Sequence, residues 1–168
     1  ASTDNDVQWA EMLELEGFFG NGTDQVDVDL HLAAQGSYDT YDENYLWQLV
    51  FEGPEAAYTW ELEGAWDESA MSYDDAYDIA ITQGSDVTRL LLELGGADGE
   101  NGTGTLSFNG TPIADIIVSD VEFSFSRPGG GSFSQEEIAN LEGLTYVMFV
   151  YGPLLSLGFL FFFLLGGI

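Results

Sequence analysis

Gln25-Val26-Asp27-Val28-Asp29-Leu30-His31-Leu32 (QVDVDLHL) sets an apolar side chain at every second position and a polar one between. Successive side chains of a strand point to opposite faces. Val26, Val28, Leu30 and Leu32 therefore share one face, and Gln25, Asp27, Asp29 and His31 share the other. The stretch reads as a half-buried strand with an acidic outer face.

The same period of two extends in both directions. It appears at Leu13/Leu15 against Glu14/Glu16, at Tyr45/Trp47/Leu49/Phe51, and at Tyr58/Trp60/Leu62 against Thr59/Glu61/Glu63. It returns at Tyr77/Ile79/Ile81, Leu90/Leu92/Leu94, Leu106/Phe108, Ile113 to Val118 and Val121/Phe123/Phe125. Strands of this kind, separated by turn signals roughly every ten residues, predict a mainly β chain: an antiparallel β-sandwich of about eight to nine strands. Asp67 to Asp75 (DESAMSYDD) breaks the rhythm and reads as a loop or a helical turn. Tyr45, Trp47, Tyr58 and Trp60 share one phase of two neighbouring strands and are expected in the core; a sugar-binding platform would need those rings exposed.

After the last strand, Pro128-Gly129-Gly130-Gly131-Ser132 punctuates the chain. Ser134 with Glu137 makes an S-x-x-E capping box, and Phe133 ahead of it is placed to staple onto Ile138, so a helix should start here. No charge follows Glu142. Gly143 to Ile168 as one helix would be nearly 40 Å long at about 1.5 Å per residue, more than the roughly 30 Å of a bilayer's hydrocarbon core. Tyr146 and Tyr151 fall toward the entering end, where aromatic rings favour the interface, and Gly152-Pro153 should kink the helix. Phe159 to Leu165, including Phe161 and Leu165, has no polar stripe, whereas Gly152, Ser156 and Gly158 are small enough for close helix–helix approach. The expected organisation is an acidic β head over residues 1–127, a linker over 128–133 and a C-terminal helix over 134–168, membrane-spanning or forming an assembly core from about 143.

Charge fixes the surroundings this head tolerates. Thirty Asp and Glu stand against Arg89 and Arg127, with no Lys, for a net charge of −28. Neighbouring carboxylates repel across a Debye length of roughly 8 Å at physiological salt and about 3 Å at molar salt. The composition resembles the proteome-wide habit of halophilic archaea, which is a resemblance of habitat and not of family. Nucleic acid is a poor partner for this field and none is expected, because phosphate contacts need cations and this chain offers only Arg89 and Arg127.

Chemistry-bearing constellations are few. Cysteine is absent, which removes disulfides, thiolate nucleophiles and cysteine metal sites. The single histidine, His31, sits on a polar strand face, and no Walker loop, G-x-S-x-G elbow or G-x-G-x-x-G fingerprint occurs. The chain therefore reads as non-enzymatic, with no catalytic residues and no cofactor. Three carboxylate clusters offer a weak possibility of calcium: Asp39/Asp42/Glu43, Asp67/Glu68 with Asp74/Asp75/Asp78, and Asp98/Glu100 with Asn101. None follows the twelve-residue loop with alternating acids, and a solvated acidic face accounts for them better.

Asn21-Gly22-Thr23, Asn101-Gly102-Thr103 and Asn109-Gly110-Thr111 satisfy the N-glycosylation rule, but Asn-Gly is equally the preferred pair of a type I′ hairpin. The chain opens on Ala1 without Met, the form left when an export signal is removed. Together these features give an expectation: an exported, membrane-anchored structural or assembly glycoprotein of a cell envelope, virion or surface filament, its head extracellular. Its partners would be lipid or copies of itself through the C-terminal helix. The alternative is an accessory single-span subunit of a larger membrane enzyme or transporter.

Overall fold

The computed structural model describes residues 7–20, 22–120 and 122–166, with side chains described as far as Leu154 apart from Gly152. They form nine strands, β1 (Gln8–Phe19), β2 (Val26–Ser37), β3 (Glu43–Glu52), β4 (Ala56–Asp67), β5 (Ser72–Gln83), β6 (Asp86–Gly96), β7 (Asn101–Phe108), β8 (Thr111–Ser119) and β9 (Glu122–Ser126), and one helix, α1 (Gln135–Gly166). The chain is thus mainly β and antiparallel with a C-terminal helix, as the alternation predicts.

All nine strands hydrogen-bond in one sheet in the order of the sequence. The layering over the core comes from the curl of that sheet and from the helix. Phe149 of α1 shows the curl. Its ring lies 4.9 Å from Tyr77 on β5 and 6.1 Å from Phe123 on β9, centroid to centroid. Four strand spacings on a flat sheet amount to about 19 Å, and side chains standing off such a sheet would not both reach one ring.

The bend has a local cause in β7. Gly102 and Gly104 face inward, where a Cβ on Gly102 would come 2.9 Å from the Leu94 Cα and one on Gly104 would meet the Leu91 carbonyl oxygen. Glycine is the residue that lets β6 and β7 fold together so closely.

Inside the curl, register partners form continuous rows. Leu30, Leu49, Trp60, Ile79, Leu90, Leu106 and Ala114 are successive partners from β2 to β8. None of them is more than 2% exposed. Full burial of one such side chain contributes about 1.5–3 kcal/mol. Trp47 and Trp60 meet edge to face at 5.3 Å, as core residues. Trp47 Nε1, Trp60 Nε1 and Thr145 Oγ1 are buried without a hydrogen-bond partner among the described residues.

The capping box forms as its sequence requires. Glu137 N–H donates to Ser134 Oγ at 3.3 Å, and Ser134 N–H donates to Glu137 Oε2 at 2.8 Å. Arg127 adds a 2.6 Å bond to Glu137 Oε1 and covers the Phe133 ring at 4.4 Å. These contacts hold the Glu137 carboxyl below the usual range, the Ser134 backbone N–H being the largest cause.

The helix then lies against the inner face of the sheet. Thr145 and Met148 are 0% exposed, with Leu141, Leu144 and Phe149 packed beside them. The Tyr58 hydroxyl donates to the Met148 carbonyl oxygen at 2.9 Å. That bond lies one residue before the Phe149 carbonyl, whose usual donor is missing because Pro153 has no N–H. The expected boundary at about residue 143 therefore falls inside a packed contact, and the first turns of α1 belong to the head.

Two local expectations need correction. Asp67 to Asp75 is not one loop: the turn is confined to the residues between β4 and β5, and Ser72 onward is strand. Asp67 Oδ1 closes that turn by accepting from Ala70 N–H at 2.9 Å and Ser69 Oγ at 2.7 Å. Those two bonds hold its carboxyl below the ordinary value, the Ser69 hydroxyl being the larger cause. Asn101-Gly102 is likewise not a hairpin turn. It opens β7, with Asn101 paired to Gly95.

Candidate functional site

One inward row ends in a hollow. Tyr45, Gly64, Asp75, Leu94, Gly102, Val118 and Phe123 are successive register partners from β3 to β9. Around this row and the β6–β7 loop, α1 leaves a cavity of about 560 Å³. Its aromatic lining is Tyr45, Tyr73, Tyr77, Phe123, Tyr146 and Phe149. Asp75, Asp98 and Glu100 contribute the acids, and no Arg, Lys or His lines it.

The row explains how an acid enters the interior. Gly64 is the direct partner of both Tyr45 and Asp75, and a Cβ there would collide with both side chains. Because the glycine vacates that volume, the Tyr45 hydroxyl donates to Asp75 Oδ1 across β4. Asp75 is 8% exposed. Burial pushes its carboxyl up, the Tyr45 bond opposes this, and the neighbouring Asp74 charge adds to it. Tyr77 is pushed up to about 12, first by burial and then by the Asp75 charge. Tyr45 is raised as well, by burial first and then by its bond to Asp75.

The rings are not coplanar. Tyr77 and Phe149 meet at 61°, and Phe123 and Phe149 at 73°. The three rings thus stand at different inclinations beside the hollow. Tyr73 and Tyr146, both exposed, form its open rim. The arrangement can hold an apolar or cationic group. Among the described residues no group of three or more acidic or histidine side chains is set to hold a metal ion.

Of the calcium clusters read from the sequence, the one that includes Asp74, Asp75 and Asp78 is divided by the pleat, whereas Asp98 and Glu100 both line the hollow. Asp75 points inward while Asp78 pairs with Arg89 on the outer face, where Arg89 Nε donates to Asp78 Oδ1 at 2.7 Å. His31 is also outside, 3.2 Å from Glu14 Oε1. Asp75 was missed as an interior acid because its neighbours suggested a loop. Its phase with Tyr73, Tyr77 and Ile79 is the signal that marks it.

Of the sequons, Asn109 and Gly110 both have positive φ (48° and 75°), the two central positions of a type I′ turn. Asn109 Nδ2 donates to Asp86 Oδ1 at 3.0 Å, and Oδ1 accepts from Val87 N–H at 2.8 Å, so turn chemistry occupies this side chain. Asn101 is exposed and its Oδ1 accepts from Asp120 N–H at 3.3 Å. Asn21 lies outside the described residues.

Of the helix positions, Gly143 is exposed, Tyr146 sits at the rim of the hollow, Tyr151 is exposed and Pro153 is half-buried. Gly152, Ser156, Gly158, Phe161 and Leu165 lie outside the described side chains. Among the described residues no helix is long and apolar enough to cross a membrane. The side chains after Leu154, on which the expected span rests, are not among those described. No family model matches the chain, and neither the curated proteins nor the solved structures give a match.

Proposed function

We propose that the chain is a non-enzymatic structural or assembly protein of a halophilic, archaeal-type envelope, virion or surface filament. Its acidic head is exported, and its C-terminal helix anchors and self-associates, in lipid or against copies of itself. The single observation that carries this reading is the two-sidedness of α1. One side, with Thr145 and Met148, is covered by the sheet; the other presents Val147, Tyr151 and Leu154, apolar and exposed, at the spacing of one helical stripe. Apolar exposure on a helix that continues into LSLGFLFFFLL needs a cover, either lipid or another helix.

Phase partitioning tests the anchor. The full chain should enter the detergent phase, and a chain ending at Leu154, which keeps the docked face, should stay in water with its tryptophan near-UV signal intact. Equal partitioning of the two would overturn the reading. Native mass of detergent-extracted material then separates its forms. Several identical copies support self-assembly, and a fixed ratio to unrelated subunits favours an accessory role in a membrane complex.

A further inference from the structure

We propose that the hollow between the sheet and α1 binds a small organic cation of the quaternary-ammonium class. Its alkylated nitrogen would rest against the aromatic walls, with its charge met by Asp75, Asp98 and Glu100.

The lining selects this chemistry by exclusion. A neutral apolar ligand would leave the charges of the lining acids unmatched, and an anion would face the same carboxylates without one lining cation. A bare metal ion needs several converging oxygens. The Tyr45 hydroxyl and one Asp75 oxygen are already spent on each other, and no metal-holding group of acids is found among the described residues.

An alkylated ammonium has the opposite needs. Its surface is apolar, so it loses little on leaving water, and its diffuse charge is attracted by aromatic rings. The Tyr77, Phe123 and Phe149 rings meet edge to face and belong to β5, β9 and α1, so the cage exists only because the sheet curls and the helix docks. The volume, about 560 Å³, is in the range of small-molecule sites and holds the head group with a short substituent.

The test uses the full chain in a maltoside detergent, which carries no ammonium group, at constant molar chloride. Choline is titrated against its carbon isostere, in which a neutral carbon replaces the nitrogen, with tyrosine fluorescence and calorimetry as readouts. Saturable choline binding with the isostere at least about tenfold weaker is expected, and Tyr146→Ala and Glu100→Gln should each weaken choline about tenfold. Both variants alter the rim or the loop and not the packed row, and unchanged melting confirms that they fold.

Equal binding of choline and isostere, reproduction of the choline response by potassium, or wild-type binding in both variants would overturn the proposal. Phosphatidylcholine vesicles distinguish the two sources of the same group. Retention there that exceeds retention on phosphatidylglycerol and is lost in Glu100→Gln assigns a lipid head group. Equal retention together with saturable choline binding assigns a free solute.

Discussion

β1 and β6 are written in the same alternating pattern but are covered very differently. On β6, Leu90, Leu92 and Leu94 are buried, Leu90 to 0% exposure. On β1, Leu13 and Phe19 occupy the equivalent inward phase yet are 40% and 39% exposed. Alternation states which face a side chain takes. Whether that face is covered depends on where the strand lies in the curl. β6 lies next to the Gly102/Gly104 bend, with strands on both sides, whereas β1 is an edge among the described residues, paired to β2 alone.

The sharpest way to break this contrast is to truncate one leucine on each strand. Leu90→Ala should cost about 3 kcal/mol, since removal leaves a cavity among close-packed neighbours. Leu13→Ala should cost under about 1 kcal/mol, because 40% of its surface is already in water. Urea unfolding at constant high salt measures both, urea being uncharged. Equal costs would mean that β1 is covered in solution, and dilution would then tell whether a second copy covers it.

Next in size is Gly102→Ala, expected to cost about 1–3 kcal/mol because its Cβ would press on the β6 backbone. A neutral outcome would show that the bend does not depend on the missing side chain.

The smallest effect should come from Asp75→Asn, and it should depend on pH. Burial raises the folded carboxyl, so the fold favours its neutral form. The resulting stability is fully present below the ordinary carboxylate range and is lost as pH rises through that range to the raised folded value. The variant should therefore gain on the wild type in melting temperature as pH rises from about 4 through the raised folded value, with Asp115→Asn, at an exposed acid away from Asp75, as the control for removing one charge. A difference that does not change with pH would show that the interior position of Asp75 carries no electrostatic cost.

These contrasts separate what the residues announced from what they concealed. Every strand was legible because inward and outward chemistry differ so strongly along it, as at Val28/Asp29 or Trp60/Glu61. The start of β5 was hidden because Asp74 and Asp75 carry the same chemistry on opposite faces. The single curled sheet was not legible from period alone, since a period of two is common to sandwiches and meanders. Its physical mark was present in Gly102 and Gly104, small residues at two successive inward positions. The docked part of α1 was concealed by average hydropathy. Leu141, Thr145 and Met148 recur at helical spacing, and that stripe packs on the sheet before the uniformly apolar run begins. The hollow was the least legible, because Tyr45, Asp75, Glu100 and Tyr146 are distant in sequence and meet only through register and curl.

The bond from Tyr58 to the Met148 carbonyl has a mechanical consequence. It ties the middle of the sheet to the helix four to five residues ahead of Pro153, while Phe149 is wedged between β5 and β9. Tension applied to the tail is thereby delivered sideways into several strands as shear, and is not spent on uncoiling a loose tether. A pull on α1 at this point is therefore felt by β4, β5 and β9 together.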